Sequence, residues 1–380
     1  MSLGVPMSRL CIFDLPLRGL PLGRWEIKRS VQFRAWGCAS FALTLATFAA
    51  TPLALADEGG VSIWLPGSFG SLAATPQEPG WSFANLYVHS DASAGGNVAA
   101  SRQATIGKFN PTVNINLNAN LSASADLEAF APTYVFASPV LGGQFAVTLM
   151  GVYGRTAGAI NGILTAQVGQ LAVTRTGGIS DERSAFGDLF PQASLRWNQG
   201  VNNFMIYTFG DIPVGAYDPT RLANLGIGHG ATDNGVGYTY FDQKNGNEFS
   251  VVTGLTYNFK NPSTDYQNGI DWHVDWGASK FLNKQLFVGA VGYSYQQLTA
   301  DRGAPLILGD NKARVSAVGP QVGYLFPIAG MQGFLNLKAY WEFDASRRAS
   351  GWDAWLTFAL SPPAPGELPA KPQTMRKGSF

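Results

Sequence analysis

Residues 113–122 read VNINLNANLS: Val113, Ile115, Leu117, Ala119 and Leu121 fall on one side of a two-residue period, Asn114, Asn116, Asn118, Asn120 and Ser122 on the other. Successive side chains of a β-strand point to opposite faces, so this run makes a strand with one apolar and one amide-rich face. About ten tilted residues of this kind suffice to cross a bilayer. Similar runs recur at 144–154, 248–258, 271–279 and 336–344, each closed by a turn of Gly, Asn, Asp or Pro. The recurrence predicts an all-β fold, a transmembrane antiparallel up-and-down β-barrel.

The connections supply the topology. Short ones occur at 138–143, 198–200, 242–246, 282–284 and 327–332, and Asn245-Gly246 is a strong hairpin signal. Longer polar ones alternate with them at 91–111, 155–186, 214–228, 260–268, 299–311 and 345–350. Bacterial barrels have short periplasmic turns, longer outer loops and an even strand number. A barrel over residues 80–360, from Trp81 to Leu360, therefore has twelve strands with both ends periplasmic, provided 113–136 is one long, bulged strand. If 113–136 instead folds as two strands, a further strand within 100–109 would restore even parity and make fourteen.

Composition agrees. Only 13% of residues are charged, whereas Gly (45) and aromatics (12%) are plentiful. A net charge of +1 provides no basic field for nucleic acid. A soluble β-sandwich also alternates, but it normally carries Lys, Glu and Thr outside, where these strands have Asn, Ser, Gly and Gln opposite Val, Leu, Phe, Tyr and Trp. Lys28, Arg29 and Arg34 precede an apolar run over 35–55, and Ala54-Leu55-Ala56 offers small residues for a signal peptidase. Residues 1–56 thus read as an N-terminal extension and signal peptide cut between Ala56 and Asp57, with a membrane anchor as the alternative. Cys11 and Cys38 both precede that cut, so the exported chain would hold no thiol for disulfides, metal or catalysis.

Parity assigns the faces. Charge on the lipid face costs roughly 2 to 4 kcal/mol for a midplane Lys, so Asn336, Lys338, Tyr340, Glu342 and Asp344 face the lumen, and Leu335, Leu337, Ala339, Trp341 and Phe343 face lipid. By the same logic Asp271, His273 and Asp275 point inward, with Trp272, Val274 and Trp276 outward. Asp188, Gln192, Ser194 and Arg196 share the lumen side of their strand, as do Glu248 and Ser250 of theirs. Trp197, Tyr257, Tyr293, Tyr295 and Trp352, near strand ends, are expected in the interfacial girdles. The trio Asp271, His273 and Asp275 has the residue types of a metal or acid/base site. Neighbours about 7 Å apart on one strand rarely converge on one ion, so the trio reads as a pore-lining charge network, without metal, cofactor or catalytic role.

Residues 57–79 (DEGGVSIWLPGSFGSLAATPQEP) are too rich in Gly and Pro for a strand, yet they carry Trp64, Leu65 and Phe69. Such residues belong out of water, so the segment is expected to fold into the barrel as a plug, the alternative being a disordered tail. Within 155–186, Ile160, Ile163, Leu164, Val168, Leu171 and Val173 either fold over the outer opening or extend the neighbouring strands above the membrane.

Several runs in order resemble the outer-membrane family named for the meta-pathway of phenol degradation. They are Gly67-Ser68-Phe69-Gly70-Ser71, Phe186-Gly187-Asp188, Pro213-Val214-Gly215-Ala216-Tyr217-Asp218 with Asn224-Leu225-Gly226, Asn261-Pro262-Ser263-Thr264-Asp265-Tyr266, Gly319-Pro320-Gln321-Val322-Gly323-Tyr324 and Glu342-Phe343-Asp344. The resemblance spans residues 65–360. It implies a Gram-negative outer-membrane barrel, linked to aromatic-compound catabolism, that passes hydrophobic or aromatic solutes. Its partners would be outer-membrane lipid, the solute, periplasmic chaperones and the barrel-assembly machinery. The chain departs from the pattern at Val214 and in a Pro- and Lys-rich tail, 361–380, ending at Phe380; Trp355, Phe358 and Leu360 would then supply the strand-terminal assembly signal.

Three functions follow from these readings. The first is passive uptake of small hydrophobic or aromatic solutes through a porin-like channel. The second is a structural or surface-interaction barrel with a closed lumen. The third is a membrane-embedded enzyme, for which no local Ser or Thr nucleophile motif is present.

Overall fold

In the computed structural model, residues 62–98, 113–168, 171–303 and 312–363 are described. The signal segment with its cleavage site, residues 57–61, the extra strand considered within 100–109 and the tail from residue 364 lie outside them. Twelve strands follow in chain order: β1 (Gly80–Val98), β2 (Val113–Val135), β3 (Gln144–Val168), β4 (Leu171–Gln199), β5 (Asn202–Asp211), β6 (Ala231–Asp242), β7 (Asn247–Asn258), β8 (Asp271–Phe281), β9 (Leu286–Gln297), β10 (Arg314–Ile328), β11 (Met331–Ser346) and β12 (Ser350–Ser361). Each pairs antiparallel with its neighbours, and β1 pairs with β12 to close the barrel. Closure matters because hydrocarbon offers nothing to satisfy the free backbone groups of a sheet edge.

The covered face is the polar one. In β7, Glu248, Ser250, Thr256 and Asn258 are buried, while Phe249, Leu255 and Tyr257 are exposed. In β8 the buried positions are Asp271, His273, Asp275 and Ser279. A soluble sandwich would bury the apolar face instead, so this inversion excludes it. The exposed Val, Leu, Phe, Tyr and Trp side chains form the lipid-facing band.

The ends follow the alternation of loop lengths. Gly80 pairs with Val135, and Ser361 with Gln332, so both ends of the barrel sit beside the short turns. That end is periplasmic by the rule for bacterial barrels. At one such turn Ala329 and Gly330 take positive φ (48° and 80°), as a two-residue hairpin of the type I′ kind requires.

Three sequence expectations need correction. First, β2 is one strand, as parity required, but its pairing with β1 runs without a bulge; the irregularities lie instead at Gly151/Tyr153 in the β3–β4 ladder and at Arg314/Ser316 in the β10–β11 ladder. Second, much of 155–186 is not a connecting loop; of the two readings of its apolar run, extension of the neighbouring strands is the one observed. It extends β3 and β4 to 25 and 29 residues, more than twice the roughly ten residues a crossing needs, so the hairpin stands well above the membrane. The extension also holds for the loop at 91–111, since β1 runs to Val98. Third, Tyr293 and Tyr295 are not girdle residues; both face inward, 1% and 2% exposed. On β9 the outward positions include Gly292, where a Cβ would come within 2.6 Å of the Trp276 ring. Small outward residues make room for the bulky neighbour, so the aromatic face of β9 is the inner one.

The apolar core is gathered inside the barrel. Trp64 clusters with Val88, Val291, Tyr293, Tyr295, Tyr340 and Trp355; Ala74 clusters with Met205, Tyr207 and Val252; Ile63 clusters with Ile227 and Ala231. Each cluster therefore contains a residue from the segment preceding β1.

Candidate functional site: a plugged lumen

Residues 62–79 lie within the barrel. Climbing from the periplasmic rim, the Gln77 amide N–H donates to Gln144 Oε1 on β3 (2.6 Å), that of Ala74 to Thr239 Oγ1 on β6 (3.0 Å) and that of Leu72 to Glu248 Oε1 on β7 (2.9 Å). The Ser71 hydroxyl is 2.7 Å from Ser279 Oγ on β8 and accepts from Gln321 Nε2 of β10 (2.7 Å). Higher still, Lys338 Nζ of β11 donates to the Gly67 carbonyl (2.6 Å). A single stretch can reach these strands from all round the barrel only by occupying the lumen. Phe69 packs on Tyr207 with ring centres 5.1 Å apart, and Leu65 packs against the Trp64 cluster.

Trp64 is the deepest anchor. Its indole N–H donates to Asp275 Oδ2 (2.9 Å), and the Gly67 N–H donates to the other carboxylate oxygen (3.1 Å). The ring lies almost parallel to His273 at 4.4 Å. His273 Nε2 is 2.9 Å from Asp233 Oδ2, and Asp233 also accepts from the hydroxyls of Tyr207 (2.7 Å) and Thr256 (2.5 Å). Close approach is built into the chain: Gly67 has φ +87°, and a Cβ there would lie 2.7 Å from the Tyr340 ring. At Gly277 a Cβ would lie 2.7 Å from the Ser71 nitrogen.

The other sequence candidates fall at definite places. Asp271 accepts from Tyr295 OH (2.9 Å) and Asn258 Nδ2 (3.0 Å). Glu342 accepts from Tyr293 OH (2.8 Å) and the Gly351 amide (2.8 Å), and the Tyr340 ring packs 5.1 Å from Tyr293. Arg196 donates from Nη1 to Ser194 Oγ (2.7 Å) near the periplasmic rim. Asp344 stands apart from the rest, exposed and paired with Arg314 at 3.0 Å. Among the described residues no group of three His, Cys, Asp or Glu side chains is arranged to hold a metal ion.

Asp188 has a different task. Its carboxylate accepts the Gly215 N–H (2.6 Å) and the Ile227 N–H (2.8 Å), holding both ends of the β5–β6 loop, and Ile227 touches Ile63 of the segment below. Gly187 permits this approach, since a Cβ there would lie 3.0 Å from the Leu225 carbonyl. Asn261 donates to Tyr217 OH (2.9 Å), bringing the next outer loop against the same one. Arg221 pairs with Asp181 on the projecting hairpin at 2.6 Å, and this guanidinium holds the Asp181 carboxyl below the usual carboxylate range. The inward-turned outer loop is thus residues 213–228, not 155–186.

Sequence reading missed Asp233, Tyr207, Tyr293 and Tyr295 as lumen residues. Parity signals existed: Asp233 alternates with Ala231, Gly235 and Gly237, and the polar side of β6 is diluted by glycine. On β9 both faces lacked charge, so no side could be assigned from cost alone.

A closed twelve-stranded barrel with an apolar outer band, a polar inner wall and an internal segment is the architecture of a membrane-spanning β-barrel. The chain belongs to the family described as "Putative MetA-pathway of phenol degradation", whose model matches residues 89–358. The resemblance expected over 65–360 thus holds for the barrel runs, while Gly67-Ser68-Phe69-Gly70-Ser71 lies outside the matched range. The fold is similar to that of an outer membrane channel from Pseudomonas putida F1, with 12% identity over 78% of this chain and 99% of that one, at a TM-score of 0.54. Weaker likenesses are to a Pseudomonas aeruginosa FadL homologue (9% identity, 80% and 97% covered, TM-score 0.38) and to the CymD monoaromatic hydrocarbon channel (8%, 76% and 90%, 0.31). No curated protein matches the sequence. The protein is an outer-membrane β-barrel.

Proposed function

We propose that this protein is a passive channel that admits small hydrophobic or aromatic solutes across the outer membrane, and that residues 62–79 close it at rest. The observation that carries this reading is the way the segment is held: a separate stretch of chain, fastened by hydrogen bonds to the inner wall of a complete barrel. Hydrogen bonds involving a charged partner contribute roughly 1.5 to 3 kcal/mol each, so the closure is firm yet leaves the barrel intact if released. Asp188, Arg196, Glu248, Asp271, His273, Asp275, Lys338, Tyr340, Glu342 and Asp344 would line or border the route and set its selectivity, with Trp64, Leu65 and Phe69 as the stopper. Family membership supports the aromatic solute class.

The same reading carries a maturation route. The leader is removed between Ala56 and Asp57, periplasmic chaperones carry the chain, and the assembly machinery inserts residues 80–360 with 57–79 as plug and 361–380 as tail. Single-channel conductance of the mature chain in planar bilayers, with and without phenol, tests the channel. Discrete steps that phenol reduces are expected. A folded but silent barrel, both intact and with 62–79 deleted, would instead establish the closed structural barrel, which the filled lumen favours as the second reading.

A further inference from the structure

We propose that the cage around Trp64 is a binding site for a single flat aromatic ring bearing an O–H or N–H donor, and that Trp64 is its resident occupant. The inference rests on the channel reading above and names the solute class of that lumen. Trp64 is 1% exposed. Its ring runs parallel to His273 (4.4 Å, 16°) and to Tyr295 (6.1 Å, 4°) and meets Tyr293 edge-on (6.0 Å, 82°). These are the stacked and T-shaped geometries that aromatic rings prefer. The one polar atom of the indole donates to Asp275 Oδ2 at 2.9 Å.

The walls do not depend on their occupant. His273 Nε2 is held at Asp233 (2.9 Å), the Tyr295 hydroxyl donates to Asp271 (2.9 Å), and the Tyr293 hydroxyl donates to Glu342 and Asp353 (2.8 and 2.9 Å). A cage fixed by its own bonds is preorganised for a ligand. It also contains an unused polar atom: His273 Nδ1 is buried with no hydrogen-bond partner, and the nearest carboxylate oxygen, Asp275 Oδ2, lies 3.9 Å away. Trp64, in contrast, belongs to no strand and reaches the cage only because the segment before β1 turns into the lumen.

The chemistry selects among rings. An arene without a donor would leave the buried Asp275 oxygen unpartnered once the indole has gone, whereas a hydroxyl or amino group replaces the lost bond. Affinity in the wild type is lowered by the fraction of time Trp64 occupies the cage, so removing the indole raises it without any new contact. Solute and plug then compete for one site, and arrival of the solute favours release of the segment.

The test uses the full chain assembled in outer membranes and purified in detergent, with phenol and toluene as probes of similar size. Calorimetry is expected to show that Trp64→Ala binds phenol at least about tenfold more tightly than wild type and prefers it to toluene, and that adding Asp275→Asn reduces that preference by about tenfold. Trp64→Phe, which keeps a ring in the cage but leaves Asp275 without its donor, should bind phenol more tightly than wild type and less tightly than Trp64→Ala. Folding is checked by the heat-dependent gel shift of barrels. If Trp64→Ala does not fold, hydrogen exchange of 62–79 in the wild type decides: saturating phenol should speed it and toluene should not. A folded Trp64→Ala that binds phenol no better than wild type, binds both probes alike, or exchange that phenol leaves unchanged, overturns the proposal. Deletion of 62–79 would still raise phenol flux if only this inference fails, which separates it from failure of the channel reading.

Discussion

Gly67 and Asp188 show how single side chains, or the lack of one, set the lumen. Gly67 combines a positive φ of +87° with a Tyr340 ring 2.7 Å from where a Cβ would stand. Gly67→Ala is expected to destabilise the seated segment by about 1 to 3 kcal/mol and raise the open fraction in bilayer recordings, with the barrel still showing its heat-dependent gel shift. Asp188 is buried and accepts two backbone N–H groups from the ends of one loop. Asp188→Ala leaves both donors without their partner, at roughly 1 to 3 kcal/mol each, and faster amide exchange across 213–228 should report it. Tyr293 and Tyr295 teach the complementary lesson: their place inside is set by neighbours such as Trp276, which fills the space outside Gly292.

Segments behave as units with separate roles. The strand extensions of β3 and β4 carry Asp181, which binds Arg221 of the 213–228 loop (2.6 Å) and accepts the Ala223 N–H (3.0 Å). Because the folded-state carboxyl is held below its ordinary range, this attachment is fully present above the unfolded pKa and is lost as pH falls through the folded one. Exchange protection of the loop, taken relative to the intrinsic rate at each pH, should therefore stay constant through mildly acidic pH and fall only in strong acid; a loss of protection near pH 6 would contradict the assignment. Residues 62–79 act as a second unit, since their bonds end on side chains of the wall and not on strand backbones. Deleting them should raise solute flux in liposome swelling assays while leaving the far-UV circular dichroism of the barrel unchanged.

Over the molecule as a whole, the sheet is complete before the tail begins. β12 ends at Ser361, and its pairing with β1 runs from Trp352 and its neighbours to Leu360. A chain stopped after Pro363 keeps every strand pair of the described residues, so it should assemble with unchanged yield and the same gel shift. Lower assembly would assign the tail a part in insertion.

The barrel was legible in the sequence because period-two alternation, turn chemistry and loop length are local, and because the cost of charge in lipid fixes the direction of any strand that carries one. Lys338 and Asp271 to Asp275 could be placed on that ground alone, and their strands bury them as parity requires. Neither the length of the β3–β4 hairpin nor the inner face of β9 could be assigned so, since strands above a membrane and strands without charge carry no such penalty. The partners of Trp64 lay further beyond reach: Asp275 is 211 positions away, and Lys338 stands 271 positions from Gly67. Contacts between residues that distant form only when the sheet closes, because closure is what brings β8 and β11 around one lumen. Local chemistry therefore settled what kind of wall this chain builds, and closure settled what the wall holds.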